Sequence, residues 1–215
     1  ADAVSETGSG CPPVLVRASG LPGGSARLSG ETSSQYLSAL LMVSPYAARD
    51  VRIEVTGPLV SQPYVHLTLG VMAAFGMRVE RQDLNRFDIA APQRYQATHY
   101  VVEPDASAAS YFWAAAAITQ GSVTVEGLSR SSLQGDVKFC DCLQRMGCQV
   151  EGSGDRLTVT GPGDGNKLAG IEADMNEISD TVQTLAAVAL FADGPTTITG
   201  VAHIRHKETD RIGNL

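Results

Sequence analysis

Glycines recur along this chain at long and nearly equal intervals. Gly57, Gly127 and Gly200 each close a short alternating segment ("VRIEVTG", "SVTVEG", "TTITG"), spaced 70 and then 73 positions apart. Gly76 and Gly147 each close a helical segment, 71 positions apart. Between these marks the pattern is helix, strand, helix, strand, strand. In the first copy, "SSQYLSALLMVSPYA" carries Leu37, Leu40 and Leu41 at helical spacing behind a Ser-Ser cap, and "VRIEVTG" alternates as a strand. A second helix is predicted over "PYVHLTLGVMAAFG", and strands over "MRVE" and "RFDI". The same order returns in "DASAASYFWAAAAITQG", "SVTVEG", "SLQGDVKFCDCLQRMG", "CQVE" and "RLTVTG", and a third copy opens with "SDTVQTLAAVALFADG" and "TTITG". Solenoid repeats run to only ~20–50 residues, so a mixed unit of this length predicts duplicated α/β modules. The third copy's second helix is expected to start at "KETDRI", near the last residue given, so the chain reads as a segment of a longer fold. Residues 1–32, with "GSGCPP" and "GLPGG", are expected to form strands and turns around "VLVRAS" and "SARLSG".

At 215 residues and 43% hydrophobic, the chain has enough apolar side chains for one large or two small cores. Its longest apolar run, "LAAVALFA" at 185–192, is far short of the roughly 20 residues that span a membrane. The first residues lack a basic stretch followed by an apolar one. A soluble, cytoplasmic protein is therefore expected. A net charge of −7 argues against a general nucleic-acid surface, which needs clustered Lys and Arg, but leaves room for a small anion held by a few focused cations. Cys11, Cys140, Cys142 and Cys148 have neither zinc-ligand nor disulfide-framework spacing and read as reduced thiols.

Several polar groups stand at predicted helix starts, where unpaired N–H groups and the helix dipole favour negative charge. Ser33, Ser34 and Gln35 could there hold a phosphate or carboxylate, or could simply cap the helix. Ser61 and Tyr64 stand at the start of the next helix, with Pro63 in its first turn, and admit the same two readings. Asp105 and Asp180 occupy the equivalent starts in the second and third copies, where a carboxylate is either a cap or a general base. In "KETDR", Lys207 and Arg211 are four apart and share a helix face if that segment is helical, with Glu208 beside them. Two cations and a carboxylate make either an anion site or a solvated charged turn. His203 and His206 have no acidic or cysteine partner at metal-ligand spacing.

Taken together, "LPGGSARLSGETSSQYLSALLM", "LVSQPYVHLTL", "YVVEPDASAASYFWAAAAI", "SLQGDVKFCDCLQRMG", "DMNEISDTVQTLAAVALFADG" and "RHKETDRI" resemble the 3-phosphoshikimate 1-carboxyvinyltransferase (EPSP synthase) family. They cover almost the whole chain in the family's order. The resemblance implies transfer of the enolpyruvyl group of phosphoenolpyruvate to the 5-hydroxyl of shikimate 3-phosphate, by addition and then elimination of phosphate, without metal or organic cofactor. It implies a fold of two domains, each built from three βαβαββ units. Residues 1–102 would then end the first domain, on the shikimate-phosphate side, and 103–215 would begin the second, breaking off in its second unit. The family is about twice this length, and a complementary remainder of the chain is an implied partner.

Carried over by motif, Ser33, Ser34, Gln35, Ser61 and Tyr64 correspond to shikimate 3-phosphate contacts. Asp180 corresponds to the carboxylate that meets the attacking hydroxyl, Lys207 to a lysine that handles protons and touches ligand, Glu208 to a second proton-transfer group, and Arg211 to a phosphoenolpyruvate contact. His203 stands where members often carry a small polar ligand-binding residue and is grouped with the substrate-binding residues. Pro104, Ala108 and Ser179 depart from the common family pattern. Two other readings are a truncated, non-catalytic module and the related transferase acting on UDP-N-acetylglucosamine, whose reactive-cysteine loop has no match around the four cysteines.

Overall fold

A computed structural model describes residues 2–163 and 165–215. The chain opens with an exposed antiparallel hairpin, β1 (Asp2–Ser5) and β2 (Val14–Arg17). There follow β3 (Gly24–Ser29), α1 (Ser34–Val43), β4 (Val51–Thr56), α2 (Gln62–Ala74), β5 (Glu80–Gln82) and β6 (Arg86–Ile89). Their four strands form one sheet in the order β3-β4-β6-β5, with β3 and β4 parallel and the remaining pairs antiparallel. The parallel pair requires a crossover, and α1 supplies it. Because β3 and β4 run the same way and each leads into a helix, α1 and α2 begin at the same sheet edge. The Val60 N–H donates to the Gly30 carbonyl at 3.1 Å, tying the two turns that precede these helices.

The second unit contains α3 (Ala106–Thr119), β7 (Ser122–Glu126), α4 (Phe139–Arg145), β8 (Gln149–Ser153) and β9 (Arg156–Thr160), with an antiparallel sheet ordered β7-β9-β8. The third contains β10 (Leu168–Ala169), β11 (Glu172–Asp174), α5 (Val182–Ala189), β12 (Ala192–Asp193) and β13 (Thr197–Thr199). Its strands make two short parallel pairs, β10 with β12 and β11 with β13. The expected α/β repeat is thus present. Its marker glycines, Gly57, Gly127 and Gly200, follow β4, β7 and β13 with φ of 72°, 82° and 76°, a left-handed turn that a side chain resists.

Buried apolar side chains fall into two clusters. Leu37 and Leu41 of α1, Val65 and Met72 of α2, and Ile53, Phe87 and Ile89 of the first sheet make one. Trp113, Phe139, Leu143, Leu157 and Leu185 belong to the other, which runs from Ala106 to Ile204. Cys140, Cys142 and Cys148 are buried there and unpaired. Burial pushes the Cys140 thiol up to about 12 and that of Cys148 to about 11, which leaves them inert as nucleophiles.

Four local expectations are corrected. The strand expected over "MRVE" forms later, at Glu80–Gln82, because Met77 is buried and its N–H closes the end of α2 on the Met72 carbonyl at 2.9 Å. The helix expected from "SLQGDVK" starts with a 3-10 turn, Gly135–Lys138, before α4. The helix expected from Asp180 is preceded by a 3-10 segment, Asn176–Thr181, kinked at Ile178 where φ is −129°. No helix starts at Lys207: Ala202–His206 is a 3-10 segment, and the next turn starts after Asp210. The physical reason is the Asp210 carboxylate, which accepts from the N–H groups of Ile212 (3.1 Å) and Gly213 (2.9 Å) as a helix cap does.

Candidate functional site

The Asp180 carboxylate is the meeting point of groups from three segments. Its Oδ2 lies 3.0 Å from the Tyr64 hydroxyl of α2. Its Oδ1 receives the Arg211 guanidinium at 2.8 Å and faces Lys207 Nζ at 3.4 Å. Lys207 also lies over the Tyr64 ring, 5.7 Å from its centre. The side chains of Lys207 and Arg211 are only 8% and 16% exposed, so these ion pairs are sheltered from water and screened less than surface pairs. Burial alone would raise the Asp180 acid, but Lys207, Arg211 and Tyr64 outweigh it and hold it below the ordinary carboxylate range. Asp180 does not cap α5; Thr181 precedes that helix without a side-chain cap bond. Asp105 does cap its helix, accepting from the N–H groups of Ser107 at 2.8 Å and Ala108 at 3.2 Å.

Lys207 and Arg211 converge on Asp180 from a bend and from the turn beyond it, not from one helix face. Glu208 is mostly exposed and reaches the site only through Arg211, which it holds with two bonds of 3.0 and 2.5 Å. Arg211 in turn holds the Glu208 acid below its usual range.

Ser61 precedes α2 with left-handed backbone, φ 53° and ψ 45°, and is 1% exposed. Its N–H donates to Asn176 Oδ1 at 3.3 Å, and its Oγ lies 3.2 Å from Ser179 Oγ and 3.1 Å from His203 Nε2. Burial, and then the Lys207 charge, lower the His203 pKa and favour a neutral ring. Ser33 caps α1, accepting from the Gln35 N–H at 3.2 Å, and Ser34 is buried at the first helical position. Ser33, Ser34 and Gln35 make no hydrogen bond to the Asp180 group; the paired turns before α1 and α2 set them at the same edge of the first sheet as Ser61 and Tyr64.

Sequence reasoning gave Asp136 and Asn176 no role, and marked Ser179 only as a departure from the family pattern. Asp136 is 2% exposed and accepts from the Tyr64 hydroxyl (2.9 Å to Oδ2, 3.2 Å to Oδ1) and from Ser107 Oγ at 3.1 Å. Burial raises its pKa to about 6, with the nearby Asp180 and Asp105 charges adding to the rise and the Tyr64 and Ser107 bonds opposing it. Burial and the two carboxylates push the Tyr64 phenol far above its ordinary value, so it stays protonated. The available signal was the 71-residue repeat, which sets the Asp136 segment opposite the start of α2; nothing local marks the residue.

Beside this cluster a groove of about 760 Å³ opens between α3 and α5, with Ser107, Tyr111, Asp180, Gln183, Thr184 and Arg211 among its lining. A larger concavity, about 1010 Å³, lies over the first sheet near Arg52, Arg86 and Asp88, whose charges already pair with one another. It includes none of the candidate site residues. Among the described residues no three His, Cys, Asp or Glu side chains assemble into a metal-binding group. No helix among them is long and apolar enough to cross a membrane.

Residues 1–215 match the family model of EPSP synthase (3-phosphoshikimate 1-carboxyvinyltransferase) over their whole length. The chain belongs to the EPSP synthase family. A 3-phosphoshikimate 1-carboxyvinyltransferase of Nostoc punctiforme is 53% identical over 207 residues, 96% of this chain and 48% of that protein. The chloroplastic enzyme of that name from Arabidopsis thaliana is 51% identical over 219 residues, 99% of this chain and 42% of that protein. The chain therefore spans about half the length of the curated relatives it matches. The fold is similar to that of EPSP synthase from Acinetobacter baumannii, with a TM-score of 0.70 at 24% identity over 99% of this chain and 48% of that one. The enolpyruvyl transferase NikO from Streptomyces tendae is similar over 80% of this chain and 43% of its own, with a TM-score of 0.61 at 18% identity.

Proposed function

We propose that this chain carries part of the active site for enolpyruvyl transfer from phosphoenolpyruvate to the 5-hydroxyl of shikimate 3-phosphate. The observation that supports it most is the Asp180 carboxylate, engaged by Tyr64, Lys207 and Arg211 at the mouth of a groove in a chain of this family. Asp180 would accept a hydrogen bond, and then a proton, from the attacking hydroxyl. Lys207 and Arg211 would neutralise ligand carboxylate and phosphate charge, and Lys207 and Glu208 would move protons at the enolpyruvyl carbon. Ser33, Ser34 and Gln35 at the start of α1, with Ser61 and Tyr64 at the start of α2 and His203 of the 202–206 segment beside Ser61, would hold shikimate 3-phosphate. Two helix N-termini on one sheet edge give that assignment its electrostatic basis. No metal or organic cofactor has a role in this scheme.

Residues 1–102 would end one domain and 103–215 begin another. The two separate buried clusters support that division. The remaining cationic groups for phosphoenolpyruvate would come from the other half of the family fold. The site would work in the cytoplasm, in keeping with free thiols and a small soluble substrate; relatives named chloroplastic use a different compartment. The acceptor is read as shikimate 3-phosphate and not UDP-N-acetylglucosamine because the matched relatives carry the former activity in their names.

Calorimetric titration of shikimate 3-phosphate tests the binding half of the proposal. Saturable heat is expected, and Gln35→Ala with Tyr64→Phe should weaken it. Absence of binding to both this chain and the full-length protein that contains it would overturn the assignment.

A further inference from the structure

The Tyr64 hydroxyl has one proton but sits 2.9 Å from Asp136 Oδ2 and 3.0 Å from Asp180 Oδ2. It can donate to one of these carboxylates; towards the other it presents a lone pair, which is favourable only if that carboxyl carries a proton. The two acids have different surroundings. Asp180 faces Arg211 and Lys207, whereas Asp136 makes no ion pair among the described residues and meets only the Tyr64 and Ser107 hydroxyls. The groups facing Asp136 from each neighbouring element are Tyr64 of α2, Asp105 and Ser107 at the start of α3, and Asp180 of the 176–181 segment. On its own segment Lys138 pairs with Glu177, and in α4 Asp141 pairs with Arg130 and Arg145 with the Glu172 carbonyl.

We propose that Asp136 is a positioning residue and the resting place of the transferred proton, linked to Asp180 through the Tyr64 hydroxyl. The proposal rests on the reading of Asp180 as the group that meets the attacking hydroxyl. The acceptor O–H bond breaks and its proton goes to Asp180 Oδ2; the electron pair left on oxygen forms the bond to the phosphate-bearing enolpyruvyl carbon, and the C=C π pair takes a proton at the methylene carbon from Lys207 or Glu208. Asp180 then passes a proton to Tyr64 Oη as the phenolic proton moves to Asp136 Oδ2. Tyr64 is neutral before and after, Asp180 regains its charge beside Lys207 and Arg211, and Asp136 ends neutral.

The step resolves a conflict in the site. Two cations make Asp180 a stable carboxylate and hence a weak base, so a proton left on it would be poorly held. Asp136, buried and without a cation, holds a proton up to about pH 6. The relay gives the proton a better destination while keeping the cations paired.

The test is a set of pH–rate profiles on the full-length protein containing this chain, for Asp136→Asn, Asp136→Glu, Tyr64→Phe and Asp180→Asn. The parent should lose turnover as pH falls through about 6. Asp136→Asn and Tyr64→Phe should each lower kcat by about ten-fold or more and remove that acid limb, and Asp136→Glu should restore part of both. Asp136→Asn should change the KM for phosphoenolpyruvate far less than kcat. Unchanged kcat and acid limb in Asp136→Asn and Tyr64→Phe, with Asp180→Asn inactive, would overturn the relay alone. Full activity in Asp180→Asn would instead overturn the reading beneath it. Should Asp136→Asn fail to fold, Tyr64→Phe and a carbon-13 titration of Asp136 in the parent carry the test: a carboxyl titrating in the ordinary range, near 4, overturns the proposal.

Discussion

The Tyr64 hydroxyl lies 3.0 Å from Asp180 Oδ2 across 116 positions of sequence, joining a helix of the first hydrophobic cluster to a segment of the second. Ser61, three residues earlier, makes a second link of the same kind through Asn176, Ser179 and His203. The candidate site is thus also a seam, and changes in it should be read by stability as well as by turnover.

Asp180→Ala should cost stability and activity together. It leaves Lys207 and Arg211 sheltered without their shared carboxylate, and breaking a buried pair from one side costs about 3–5 kcal/mol. Part exposure of Asp180 reduces this to about 2–3 kcal/mol. Urea unfolding measures it, and adding Arg211→Ala on the Asp180→Ala background should cost less than Arg211→Ala alone.

Ser61 offers a comparison of backbone against side chain. Ser61→Ala loses the Oγ bonds to Ser179 and His203 but keeps the left-handed backbone, and should destabilise by about 1–3 kcal/mol. Ser61→Gly loses the same bonds while relieving the φ of 53°, and should be more stable than Ser61→Ala by about 1 kcal/mol. Thermal unfolding of the two variants side by side checks the order.

Asp105 separates a cap from a base. Its carboxylate is committed to the Ser107 and Ala108 N–H groups, so Asp105→Ala should cost about 1 kcal/mol and Asp105→Asn or Asp105→Ser much less. None of the three should change the affinity for shikimate 3-phosphate, measured by calorimetry.

Asp136 sets a pH dependence with a definite sign. Its folded pKa of about 6 lies above the ordinary 3.8, so it favours the folded state while protonated. That contribution is fully present below about pH 4 and is lost as pH rises through about 6. Asp136→Asn should therefore gain stability relative to the parent between about pH 4 and pH 8, by about 1–3 kcal/mol in denaturant unfolding.

Periodic features of the fold were legible because they are local. Leu37 and Leu41 declare the buried face of α1, and the glycines after β4, β7 and β13 declare turns that need positive φ. The helix expected to start at "KETDRI" does not form there because Asp210, not the Lys-Glu pair, caps the next turn, and either register fits the same charges. Asp180 looked like a cap since it precedes an apolar helix; the kink at Ile178 turns its carboxylate toward Tyr64 instead. Asp136 could not be found at all by local pattern, because its partners Tyr64 and Ser107 are 72 and 29 positions away.

Product analysis on the full-length protein containing this chain, incubated with shikimate 3-phosphate and phosphoenolpyruvate, is the most direct measurement. Release of one inorganic phosphate per enolpyruvyl ether formed at the 5-hydroxyl, abolished by Asp180→Ala, is the expected result. No ether from shikimate 3-phosphate, or transfer to UDP-N-acetylglucosamine in its place, would contradict it.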